Sequence, residues 1–233
     1  MRDYVIINGV NSNTITGLAI SNLPSISKPL MRNQIDEIDG RDGDLITKLG
    51  YAAYDKELEI GLYGNFNIDN VIKYFNGEGI ITFSNESDKY YKFTILEQID
   101  YEKLLKFKTA TITLHCQPFK YKVGETPITL SSGDNTITNN GNIYSRPTIT
   151  LTGSGTISIS LNGNQIFSID MSNNDKITID TTEMEAYDPA TLVLLNRIVT
   201  GNYENFKIES GSNTLTLSGT ITSATLTNYE RWL

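Results

Sequence analysis

One cysteine, one histidine and one tryptophan are all that the 233 residues contain. A single thiol excludes an intrachain disulfide. A single imidazole, His115, leaves no Cys/His cluster for zinc. No stretch of about 18 apolar residues runs unbroken, so no membrane-spanning helix is expected. Lys and Arg are outnumbered by Asp and Glu, 19 to 27, for a net charge of −8 and a pI of about 4.7. Such a surface repels phosphate backbones, and no specific nucleic-acid binding is expected. The one basic cluster, Lys103, Lys106 and Lys108 among Leu104, Leu105 and Phe107, reads as a solvated strand face. The first nine residues lack a signal-peptide apolar run and a small-residue cleavage site, so synthesis in a cytoplasm is expected.

What is present is alternation. Apolar and hydroxyl residues alternate with period two through the last third of the chain, the mark of antiparallel sheet with one wet face. In the first half, residues 4–7, 15–20, 45–49 and 56–63 read as strands, the last with Leu58, Ile60 and Leu62 on one face. Between 21 and 43 the pattern fades into Pro24, Pro29 and an acidic Gly-containing stretch, a long polar loop or extended arm. After Asn67 the period changes. Ile68, Val71, Ile72 and Phe75 suit the apolar side of a short helix, with Asn67 or Asp69 as its cap and Gly77 at its end. Residues 79–83 and 90–96 read as a hairpin. Residues 108–116 form the clearest strand, with Ala110, Ile112, Leu114 and Cys116 inward and Thr109, Thr111, Thr113 and His115 outward.

A boundary is expected near 122–126, between Pro118 and Pro127. It divides the chain into a first β domain, 1–123, and a second, 124–233. Beyond it Thr, Ser, Asn and Ile dominate, and Gly or Asn punctuates each strand-length piece. Ser132-Gly-Asp-Asn-Thr-Ile-Thr and Ser210-Gly-Ser-Asn-Thr-Leu-Thr resemble each other and suggest equivalent strands of a two-sheet sandwich. Residues 182–200, broken by Pro189, read as a loop with one short turn.

Chemistry is sparse. His115 and Cys116 adjoin, but successive strand residues face opposite ways, so no thiol–imidazole nucleophile forms. Residues 36–44 hold oxygen donors, yet an EF-hand count from Asp39 puts Arg41 at a ligand position and lacks the closing Glu. Gly153-Ser-Gly155 lacks the Lys-Ser/Thr of a phosphate loop. The carboxylate pairs Glu183/Glu185 and Asp100/Glu102 sit at strand spacing, as chance provides among 27 acids. No catalytic residue, metal ligand or cofactor is expected.

The order of these pieces resembles the distal tail (Dit) family of long-tailed bacteriophages. The matching features of the first half are the strand opening onto Gly9, the segment Glu37-Ile-Asp-Gly-Arg-Asp-Gly43, the short helix before Gly77-Glu-Gly79, and Cys116-Gln-Pro-Phe-Lys-Tyr121. Those of the second half are Arg146-Pro147, Gly153-Ser-Gly155, Leu161-Asn-Gly163, Ile179-Asp-Thr-Thr-Glu183 and Gly211-Ser-Asn-Thr-Leu215. The resemblance implies a mainly β protein, with an N-terminal ring-forming β domain and a C-terminal galectin-like sandwich. It implies a structural virion component at the tail tip and no enzyme. The implied assembly is a homo-hexameric ring between the tail tube protein and the tail-associated hub protein, with receptor-binding or accessory baseplate proteins as further partners. An extended arm, residues 21–43, would embrace the neighbouring subunit. Leu30, Met31, Ile35 and Ile38, apolar side chains without a core of their own, are its inter-subunit candidates. A galectin-like fold raises one alternative, a carbohydrate-binding module of a baseplate or cell-wall-targeting protein. The second half has no histidine, and its only Trp is Trp232. The galectin sugar site therefore does not carry over, and fold alone does not carry function.

Overall fold

The computed structural model describes residues 2–233. The chain forms two compact units, Met1–Val123 with Leu233, and Gly124–Trp232. Each has its own buried apolar cluster. The chain is mainly β, as alternation predicts.

The first unit contains β1 (Val5–Ile7), β2 (Val10–Asn11), β3 (Leu18–Asn22), β4 (Met31–Glu37), β5 (Asp44–Tyr51), β6 (Tyr54–Leu62), α1 (Ile68–Tyr74), β7 (Glu78–Phe83), β8 (Lys89–Thr94), α2 (Tyr101–Phe107) and β9 (Thr109–Lys122). Seven strands pair antiparallel in the order β2-β1-β7-β8-β9-β6-β3. Val5 and Ile7 near one edge share a core with Leu18 and Ile20 at the other, so the sheet curls around its apolar face. Val71, Tyr74 and Phe75 of the α1 region and Leu104 of α2 complete that core. Asn67 caps α1 by accepting from the backbone N–H of Asp69 and Asn70. The Tyr74 hydroxyl donates to the carbonyls of Val5 and Val10, at 3.0 and 3.1 Å, and ties the helix to the first strands.

Four expectations for this unit are corrected. Residues 12–14 form a 3-10 turn, so the second strand begins only at Leu18. Ile72 lies exposed, and Tyr74 takes its place inward. The basic cluster 103–108 is helical: Asp100 caps α2 through the Lys103 N–H, and Lys108 ends it in the left-handed region. Asp100 and Glu102 are therefore a cap and a first-turn residue, not a pair on a strand.

The second unit contains β10 (Ile128–Leu130), β11 (Gly133–Asn139), β12 (Thr148–Leu161), β13 (Asn164–Met171), β14 (Lys176–Asp180), β15 (Glu185–Tyr187), β16 (Val199–Gly201) and β17 (Gly211–Thr227). β12 and β17 pair along most of their length, and their other neighbours change midway. One layer runs β10-β17-β12-β14-β15 and the other β11-β17-β12-β13-β16. The result is a β-sandwich folded over two shared strands, with Phe167, Phe206, Ile149 and Leu217 among its core. The loop expected at 182–200 contains two strands, β15 and β16.

Glycine ends some strands as expected, at Asn162-Gly163 after β12, but Gly153 and Gly219 lie inside β12 and β17 and bend them. The β12–β17 register slips at Gly153 and again beyond Ser154. A Cβ on Gly153 would lie 2.3 Å from the Thr220 carbonyl oxygen, and one on Gly219 would lie 2.5 Å from that of Thr156. The backbones approach here more closely than a side chain permits, which allows both strands to cross from one layer to the other. The two similar segments also turn out to be partners, since β11 pairs directly with the start of β17. Their shared sequence makes a shared entry turn. Asn135 Nδ2 donates to the carbonyls of Ser131 and Gly133, and Asn213 Nδ2 donates to those of Glu209 and Gly211.

Candidate assembly surface

Among the described residues, β4 and β5 pair only with each other. Their register sets Ile35 opposite Ile46 and Glu37 opposite Asp44. The turn at 38–43 is closed by the Arg41 N–H on the Ile38 carbonyl, with Gly40 and Gly43 at positive φ. An isolated two-stranded ribbon is marginal in water, because neither face has anything to bury against. Here the faces carry exposed Ile35, Ile38, Leu45, Ile46 and Leu49, and Leu30 at the root is 73% exposed. Such a grouping of large aliphatic side chains on an exposed ribbon is a candidate association surface.

The root is firmly held. The Ala52 N–H donates to the Leu30 carbonyl at 2.8 Å. Tyr51 packs edge-on against Phe119, ring centroids 5.7 Å apart. Lys56 Nζ donates to the Ser25 carbonyl at 2.8 Å and lies 4.9 Å from the centre of the Tyr91 ring and 5.2 Å from that of Tyr54. The ammonium is almost fully buried, and burial lowers its pKa. Aromatic faces and the carbonyl stabilise the remaining charge. Beside it, Glu86 accepts from Lys120 Nζ at 2.8 Å and from the Tyr91 hydroxyl. The Ser25 carbonyl and the Tyr51 ring are thus tied to the sheet at the base of the ribbon.

Of the inter-subunit candidates, Leu30, Ile35 and Ile38 are exposed on this ribbon or its root, and Met31 is half-buried. The segment expected as an arm, 21–43, supplies the first strand and the turn of this hairpin, whose second strand is Asp44–Tyr51. Leu45, Ile46 and Leu49 on β5 were missed. The cue for them was the Asp-Gly pair at 42–43 between two apolar-bearing segments.

Residues read for chemistry are dispersed. His115 Nδ1 lies 2.7 Å from Asp55 Oδ1 on the neighbouring strand, while Cys116 is fully buried on the opposite face. Glu183 lies in a turn and Glu185 on β15. Among the described residues, no group of three metal-binding side chains comes together. No described helix is long and apolar enough to cross a membrane. In the second unit a polar cleft of about 490 Å³ is lined by residues including Asn162, Asn164, Gln165, Glu204 and Lys207, with no aromatic ring for a sugar to stack on.

Burial also sets a pH limit. It pushes the Cys116 thiol up to about 12 from 9.0, and the Tyr54 hydroxyl up to about 12 from 10.0. Tyr74 and Tyr91 are raised as well, by burial first. An acid whose folded pKa is raised keeps its proton while the unfolded chain loses it, so stability falls as pH rises above the unfolded value. Lys56 acts oppositely between its lowered pKa and 10.5, whereas the tyrosines add to the decline only once the unfolded chain begins to lose their protons near 10.0. We expect the first unit's melting temperature to fall from pH 10 upward, Cys116 alone contributing about 1 kcal/mol per pH unit up to 12. Thermal melts of the protein and its Cys116→Ala variant check this. The variant should show the shallower decline.

No protein-family model matches the chain, and no curated protein matches it. Solved structures do. The chain aligns over its full length with the full length of the phage SPP1 Dit protein, which is described as a hub adsorption apparatus of phages infecting Gram-positive bacteria. The TM-score is 0.69 at 15% identity. The chain carries the Dit fold. A component of the phage P2 baseplate in its activated, calcium-bound conformation aligns over 97% of each chain, with a TM-score of 0.50 at 12% identity. The Dit fold thus holds with little sequence in common.

Proposed function

We propose that the protein is a structural component of a phage tail tip. It forms a homo-hexameric ring that joins the tail tube protein above to the tail-associated hub and receptor-binding or accessory baseplate proteins below, and it resides in the virion. The observation that carries this reading is the β4–β5 hairpin, an apolar ribbon tied to the sheet at its base, with nothing of its own to cover it. A ring closed by rotation needs two different complementary surfaces per subunit, and the hairpin supplies one. The likeness to hub and baseplate components supports the setting. A non-enzymatic role is supported by the opposite-facing His115 and Cys116.

Light scattering on the purified protein across concentrations, with negative-stain images of the same peak, tests the reading. The expected result is a mass six times 26.0 kDa and open rings, either for the protein alone or after addition of the hub protein. A monomer or a closed dimer under both conditions overturns it.

A further inference from the structure

The hairpin is polarised in charge. Its far end, residues 36–44, holds Asp36, Glu37, Asp39, Asp42 and Asp44 against one base, Arg41. The complement lies on α2 of the same unit. Only Leu104 of that helix is fully buried. Its outer side presents Lys103, Lys106 and Phe107, and Phe107 is 60% exposed. Helical spacing sets Lys103 and Phe107 one turn apart, with Lys106 beside both. Lys106 Nζ lies 5.4 Å from the centre of the Phe107 ring, and Lys108 Nζ lies 4.5 Å from that of Phe66. Glu102 is the one acid on the helix. The combination of exposed apolar area and lysines mirrors the hairpin end, where Ile35, Ile38, Leu45 and Ile46 sit among acids. In the other basic strip of this unit, Lys89, Lys92 and Lys122, Tyr90 and Tyr121 stack on each other and Lys89 pairs with Asp88 at 2.6 Å.

We propose that the outer side of α2 is the landing site for the acidic hairpin end of a second copy of this chain. This rests on the ring reading and adds the surface that receives the arm. Apolar contact supplies area, and the opposite charges set register and reject mispairing. Within one chain the pattern is heterologous, hairpin to helix, so each copy both gives and receives, as a closed ring demands.

The test is charge reversal in the full-length protein, read by light scattering under conditions in which the unaltered protein gives rings. Lys103→Glu with Lys106→Glu should reduce the ring to single chains, as should Asp36→Lys, Glu37→Lys and Asp39→Lys together. The five changes combined should restore the six-fold mass. Lys92→Glu should leave it unchanged. A ring that survives Lys103→Glu with Lys106→Glu at the concentrations of the unaltered protein overturns the landing site and leaves the ring intact as a reading. Absence of rings from the unaltered protein, with and without hub protein, overturns both. Should the α2 variant misfold by circular dichroism, Asp39→Cys paired with Lys103→Cys decides. Oxidation should then give a ladder of linked chains on a non-reducing gel, and no ladder from a ring-forming sample sinks the landing site.

Discussion

Replacing residues 33–48 by a short Gly-Ser turn should abolish the ring and leave a folded monomer. The hairpin side chains contribute nothing to the first unit's core, which is built from β1, β3, β6–β9 and the two helices. The melting temperature of the unit should therefore change by no more than a few degrees. Association is another matter. Fully burying one aliphatic side chain contributes about 1.5–3 kcal/mol, and the hairpin with its root exposes Leu30, Ile35, Ile38, Leu45, Ile46 and Leu49. Bringing two proteins together costs about 4–15 kcal/mol in lost freedom. An interface deprived of four of these side chains, Ile35, Ile38, Leu45 and Ile46, cannot offset that. Light scattering should show a fall from six chains to one, and a melt should show the fold intact. A truncated protein that still forms rings would place the ring contacts elsewhere.

Phe167→Ala should have the largest effect on stability. The ring is fully buried in the second unit and meets Tyr203 and Phe206 edge-on, at centroid distances of 5.2 and 5.7 Å. Losing a buried Phe costs about 3–5 kcal/mol through transfer and cavity terms. For a unit of this size that lowers its melting temperature by roughly 15–30 °C. The first unit has a separate core, so its calorimetric transition should stay within a few degrees. Phe107→Ala, at an exposed position, should move neither transition by more than about 0.5 kcal/mol. Under the landing-site inference it should nonetheless weaken the ring. A Phe167→Ala protein that melts in one lowered transition would mean that the two cores do not unfold separately, and an unchanged melt would mean that the ring contributes little.

Some elements were legible because their signals are local. α1 announces itself through the Asn67 cap and the spacing of Val71 and Phe75. β6 and β9 show strict alternation, and the buried positions Leu58, Ile60, Ile112 and Leu114 follow it. α2 was not legible. With one fully buried residue it has no apolar stripe, and Lys/Leu alternation imitated a strand. Its helicity rests on the Asp100 cap and on the left-handed stop at Lys108. The arm's apolar residues could be read, but its shape could not, because β4 finds its partner in β5 across a turn that the alternation does not pick out.

By itself, the sequence determined a β protein without disulfides, the burial parity of most strands, and an apolar, acidic segment that no local pattern absorbs. Only tertiary structure decided which strands pair. It made Gly153 and Gly219 bends between layers, set β11 against β17 although their sequences read as equivalents, and left β4–β5 without a third strand. The reason is physical. Alternation reports which side of a strand is apolar, a property of neighbouring residues. Which strand pairs with which depends on backbone hydrogen bonds, often to segments far along the chain, and those bonds are the same whatever side chains flank them.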